Sequence, residues 1–145
     1  MNKRTIGSGW ATWSHGYTGV VYAASGPSAA IYLPPGTAAF YLYAEPNQFA
    51  VLNITATTDA GTTSGPIAVN GSSGATGFGF HTTAGESIVS ISITTDDQSG
   101  MAIGEFGASL GGAVNVPTAS TWGLAALALA VVAAGLFLLR GRLAG

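Results

Sequence analysis

Between residues 20 and 106 the chain repeats one pattern: short runs of apolar residues alternating with polar ones, broken at regular intervals by turn formers. Over residues 49–58, Leu52, Ile54 and Ala56 fall on one side and Asn53, Thr55 and Thr57 on the other. This period of two is that of a half-buried strand. Residues 87–95 repeat it, with Val89, Ile91 and Ile93 set against Ser90, Ser92 and Thr94. Residues 38–44 set Phe40, Leu42 and Ala44 against Tyr41 and Tyr43. Shorter runs at 20–23, 30–33, 66–69, 77–80 and 101–106 read as further strands. Between them lie Ser25-Gly26-Pro27, Pro34-Pro35-Gly36, Glu45-Pro46-Asn47, Asp59-Ala60-Gly61-Thr62 and Asp96-Asp97-Gln98-Ser99-Gly100. Asn70-Gly71 is a favoured hairpin dipeptide and predicts a hairpin closure there.

No helix-period segment precedes Trp122. From Trp122 to Leu139 the chain then carries no charge and no strongly polar side chain, and Arg140 and Arg142 follow. At about 1.5 Å per residue such a run reaches roughly 27 Å as a helix, close to the thickness of a bilayer core. The two arginines place its C-terminal end in the cytoplasm by the positive-inside rule. Strands every 8 to 12 residues with polar outer faces predict an antiparallel β-sandwich, either jelly-roll or immunoglobulin-like. The expected organisation is an N-terminal segment over 1–17, a sandwich over 18–110, a small-residue linker over 111–115, and a C-terminal segment over 116–145 with a transmembrane helix at 122–139.

Charge narrows the functional classes. No Lys or Arg lies between Arg4 and Arg140, so no basic surface exists to neutralise phosphates, and nucleic acid is excluded as a partner. The chain has no cysteine, which excludes thiol nucleophiles and Cys-based metal centres. No cofactor or metal is expected. Met1-Asn2-Lys3-Arg4 resembles the basic start of a signal peptide, but Thr5-Ile6-Gly7-Ser8-Gly9-Trp10 supplies no apolar stretch after it. The expectation is a longer precursor, with residues 1–17 as the remnant of a truncated start.

Val116-Pro117-Thr118-Ala119-Ser120-Thr121-Trp122-Gly123, followed by an apolar helix and a basic end, resembles the IPTL-CTERM family of bacterial C-terminal sorting signals. The family motif reads Ile-Pro-Thr-Leu-x-x-Trp-Gly. Pro117, Thr118, Trp122 and Gly123 match it, Val116 replaces Ile, and Ala119 stands in place of Leu. The resemblance implies a bacterial exported protein, held in the inner membrane as a single-pass chain and cut near Pro117-Thr118 by an exosortase-type membrane protease. Residues 18–108, through Phe40–Asn47, Ile54-Thr55-Ala56, Gly77–Phe80 and Ile103–Gly107, resemble a β-domain of exported proteins bearing such signals. That resemblance implies a jelly-roll-like sandwich and carries no activity.

Several residues invite a chemical reading. Asp96-Asp97 is the only acidic pair; adjacent strand positions face opposite ways, so the expectation is a solvated turn, with calcium ligation as the alternative. Glu45 and Glu105 would share a site only if their strands were neighbours, and otherwise read as a capped turn and an edge charge. His15 and His81 have no metal-type spacing to a partner. Trp10, Trp13, Tyr17, Tyr22, Tyr32, Tyr41 and Tyr43 gather in the first third of the chain. They read as packing for a sheet or, at Tyr41 and Tyr43, as a stacking platform for a sugar face. The chain is thus expected to be a non-enzymatic, structural or adhesive protein in transit to the cell surface or matrix. Its expected partners are the bilayer and the protease; a carbohydrate-binding module for polysaccharide is the alternative.

Overall fold

A computed structural model describes residues 1–83 and 85–111, and these form ten strands in two sheets. The strands are β1 (Asn2–Ile6), β2 (Gly9–Trp10), β3 (Val20–Ala24), β4 (Ser28–Tyr32), β5 (Thr37–Pro46), β6 (Val51–Thr58), β7 (Ile67–Asn70), β8 (Thr76–His81), β9 (Ser90–Thr95) and β10 (Met101–Leu110). The larger sheet has the order β2-β1-β3-β10-β5-β8, and the smaller β4-β9-β6-β7. Apart from β1 with β2, which is parallel, every ladder is antiparallel.

The alternating pattern decides which faces meet. Phe40, Leu42 and Ala44 of β5, Phe78 and Phe80 of β8, and Met101 and Ile103 of β10 line the inner face of the larger sheet. They pack on Ile54 and Ala56 of β6, Val69 of β7, and Ile91 and Ile93 of β9. Each of the larger side chains withdrawn this way stabilises the fold by about 1.5–3 kcal/mol.

Four features depart from the sequence reading. The larger sheet includes Asn2–Ile6, because β1 pairs with β3 from Asn2↔Ala23 to Thr5↔Val20. Asn70-Gly71 closes no hairpin: β7 pairs with β6 and β8 with β5, so this turn carries the chain from one sheet to the other. Asn70 Oδ1 accepts the Ser72 amide at 3.0 Å, and a Cβ on Gly71 would sit 2.1 Å from the Gln48 carbonyl oxygen. Residues 87–89 are not strand, because the Ile88 amide donates to Thr37 of the other sheet at 2.8 Å; Ile88 is therefore buried and Val89 exposed. Finally, β10 runs on past Phe106 through a bulge. Tyr43 pairs with Gly104 and Tyr41 with Gly107, so Glu105 and Phe106 together oppose Leu42. Regular alternation would have turned Glu105 into the core. The extra residue turns it outward, while Phe106 stacks on Phe40 with centroids 6.2 Å apart.

Val116, Pro117, Thr118, Trp122 and Gly123, the helix expected at 122–139, and Arg140 and Arg142 lie outside the described residues. Among the described residues, no helix is long and apolar enough to cross a membrane.

Candidate aromatic binding face

The outer face of the larger sheet is built from small residues. Ala102 and Gly104 of β10 and Gly77 and Gly79 of β8 flank Tyr41, Tyr43 and Glu45 of β5. A segment running from Trp10 to Tyr17 crosses part of this face, and hydrogen bonds tie it down at several points. The Trp10 indole donates to Glu45 Oε2 at 3.1 Å, and the Thr12 hydroxyl donates to Glu45 Oε1. The Trp13 indole donates to Glu105 Oε2 at 3.1 Å, and the Ser14 hydroxyl donates to the Ala75 carbonyl. Gly104 and Gly74 leave room for Trp13: a Cβ on Gly104 would sit 3.2 Å from its ring, and one on Gly74 2.8 Å from its carbonyl carbon.

The strands that carry Glu45 and Glu105, β5 and β10, are neighbours, but the two carboxylates bind different side chains. Each is an acceptor for one tryptophan of the crossing segment. Glu45 is closed to solvent, and that burial pushes its carboxyl group up, opposed by the bonds from Thr12 and Trp10. Asp97 also departs from expectation. It is fully buried and accepts from the Gln48 amide at 2.8 Å, Gln48 Nε2 at 2.9 Å, the Ser99 amide at 2.8 Å and Ser99 Oγ at 2.5 Å. Burial works against its charge, but the bonds from Ser99 and Gln48 outweigh it and hold the carboxyl below the usual range. Asp97 thus latches the β9–β10 turn to the β5–β6 turn. Only Asp96 of the pair is exposed, where it accepts from Asn53. Among the described residues no three His, Cys, Asp or Glu side chains converge as a metal site would require.

Beside the crossing segment the face stays open. Tyr41, Tyr43, Gly77, Gly79 and Glu105 line a depression of about 420 Å³. Its floor along β8 is glycine, and a Cβ built on Gly79 would meet nothing within 4 Å. Its wall is the tyrosine pair, with rings perpendicular (90°) and centroids 6.4 Å apart; Tyr41 is 48% exposed. Tyr41 leans over Gly107, and Tyr43 lies over Gly77. His15 meets the edge of Tyr43 at 5.1 Å.

Two non-glycine residues among those described have positive φ: His15 at 57° and Glu105 at 52°. Such a conformation costs a non-glycine residue roughly 1–2 kcal/mol. Glu105 lines the Tyr41–Tyr43 depression, and His15 touches Tyr43. The alternation over residues 38–44 placed the two tyrosines on one face, as expected. The roles of Glu105 and His15 were not legible, because neither a bulge nor a left-handed residue has a periodic signature. The flanking glycines of Gly104-Glu105-Phe106-Gly107 were the one available signal.

The remaining aromatics do other work. Tyr17 hydrogen-bonds the Val20 carbonyl at 3.0 Å and packs near Trp13. Tyr22 lies against Phe106, and Tyr32 is 81% exposed on the smaller sheet. No family model, curated protein or solved structure matches the chain significantly.

Proposed function

We propose that this chain is an exported, adhesive envelope protein that holds polysaccharide against the Tyr41–Tyr43 face. The observation that carries the reading is the open depression walled by Tyr41 and Tyr43 and lined by the left-handed Glu105, with the left-handed His15 packed edge-on against Tyr43. Local strain retained in a stable fold tends to gather at ligand sites. A tyrosine face offers a flat apolar surface to the C–H face of a pyranose, and a carboxylate at its rim accepts hydroxyl protons. The glycine floor leaves space for the ring.

The scaffold reading is a jelly-roll-like sandwich. From β3 to β10 the strands fall into two four-strand sets, β3-β10-β5-β8 and β4-β9-β6-β7. Such interleaving of early and late strands is expected of a double Greek key. The C-terminal part of the proposal rests on the sequence. Val116-Pro117-Thr118, Trp122-Gly123 and the apolar run to Leu139 support insertion in the inner membrane and cleavage by an exosortase-type protease.

The test is sedimentation of the full chain with insoluble envelope polysaccharide from a bacterial host. Tyr41→Ala is expected to weaken retention about tenfold, the loss of roughly 1.4 kcal/mol of contact. Unchanged retention by a folded Tyr41→Ala variant would remove Tyr41 from the site and sink the reading.

A further inference from the structure

We infer that the depression recognises an ammonium-bearing sugar, so that the polysaccharide it holds contains free amino groups. The inference rests on the proposed glycan face and adds the charge of the unit bound there.

Three observations point to a cation. First, the two tyrosine rings are perpendicular, not coplanar. Coplanar rings would make one broad stacking shelf. A right-angled pair forms a corner in which a compact cation can meet the negative face of one ring and lie close to the other. Second, a carboxylate belongs to the same depression. Among the described residues, the one side-chain hydrogen bond to Glu105 is from the Trp13 indole, to Oε2 at 3.1 Å. Oε1 is left for a ligand. The bulge turns this carboxylate outward at the cost of a positive φ, at a point where regular alternation would have buried it. Third, no basic side chain lines the depression; Arg4 lies on the same face but two strands away from β10, in register with Tyr43 through Val21 and Gly104. The body carries six acidic side chains. An acidic polysaccharide would meet repulsion at Glu105, with no basic side chain lining the depression to offset it. A neutral glycan would use the rings but leave the carboxylate only hydroxyl protons. An ammonium group uses both.

The geometry also limits the ligand's shape. Tyr43 covers Gly77 but Gly79 leaves the floor beside it bare, so a pyranose ring can lie over Gly79 while its amino substituent points into the tyrosine corner. An N-acetyl group at the same position would lose the charge and add bulk.

The experiment is titration of the full chain in non-ionic detergent, read by the ring resonances of Tyr41 and Tyr43. The probes are a glucosamine tetramer, the matching N-acetylglucosamine tetramer, choline, and 3,3-dimethylbutan-1-ol as the neutral isostere of choline. The glucosamine tetramer and choline are expected to shift both tyrosines saturably. The isostere should leave them unmoved, and the acetylated tetramer should bind about tenfold more weakly than its amino counterpart. Glu105→Gln should erase the preference for the amino tetramer while its remaining amide spectrum stays that of the parent. Equal binding of the amino and acetylated tetramers would overturn the ammonium assignment and leave the glycan face standing. Binding of choline alone, with neither tetramer, would assign the corner to a quaternary ammonium headgroup and refute an amino sugar. Shifts from none of the four probes would overturn both readings.

Discussion

Asp97 holds two inter-sheet turns together, and its removal should be felt in the stability of the whole sandwich. Its carboxylate accepts four hydrogen bonds, two of them from the main-chain amides of Gln48 and Ser99. Asp97→Ala would leave those two amides without their acceptor. An orphaned donor costs about 1–3 kcal/mol, and water reaches this end of the sandwich through the exposed Gln48 and Ser99, so the expected loss is about 2–3 kcal/mol. For a body of this size that lowers Tm by about 10 °C. Asp97→Asn keeps the shape but must set its amide nitrogen against one of the donors, so roughly half that loss is expected. Acid should act in the same way. The fold holds Asp97 below its ordinary value of 3.8, so its contribution is complete above that value and drains away as pH falls toward the folded one. Differential scanning calorimetry of the parent and both variants between pH 3 and 7 measures this. The acid sensitivity that survives in Asp97→Asn belongs to Asp59, whose carboxyl is lowered by the amides of Ser90 and Val89. A Tm drop below about 3 °C for Asp97→Ala at neutral pH would refute the latch.

Glu45 should behave with the opposite sign. Burial raises its carboxyl above 4.5, so its favourable contribution is full below that value and is lost as pH rises through the folded one. Glu45→Gln should flatten that arm of the stability profile in urea titrations at successive pH values. Gly100→Ala places a Cβ 1.9 Å from the Ala24 carbonyl oxygen at a φ of +108°, and is expected to cost about 3 kcal/mol or more by the same titration. Glu-specific proteolysis of protein from its native host, cutting after Glu105, releases the fragment that begins at Phe106. Mass spectrometry of that fragment should place the mature C-terminus near Pro117, and a fragment running to Gly145 would make the C-terminal segment a permanent anchor.

Much of the fold was legible because strand alternation is a local signal. Phe40, Leu42 and Ala44 had to face the core if Tyr41 and Tyr43 did not, and the same logic sorted Ile54 from Thr55 and Ile91 from Ser92. What escaped was set by non-local partners. Asn2–Ile6 has no apolar alternation and is a strand only because β3 offers an edge to it. Asn70-Gly71 has the chemistry of a hairpin, but the strands on either side find different neighbours. Ile88 leaves the smaller sheet because Thr37 accepts its amide. The buried role of Asp97 depends on Gln48, which is distant in sequence and adjacent only once the turns meet. In the candidate site, Tyr41 and Tyr43 were named from their shared face. Glu105 reached them through a bulge that periodicity does not encode, and His15 through a segment read as lying outside the sandwich.

Gly79 offers the most direct measurement of the proposed function, because it separates binding from folding. A Cβ there meets nothing within 4 Å, and a larger side chain would occupy the floor of the Tyr41–Tyr43 depression. Gly79→Val should leave Tm unchanged or slightly raised, since a β-branched residue suits a strand. Calorimetric titration of parent and variant with a glucosamine tetramer then decides the matter. Saturable binding to the parent and none detectable to Gly79→Val is the expected result. Equal binding by both would place the ligand elsewhere than on the Tyr41–Tyr43 face.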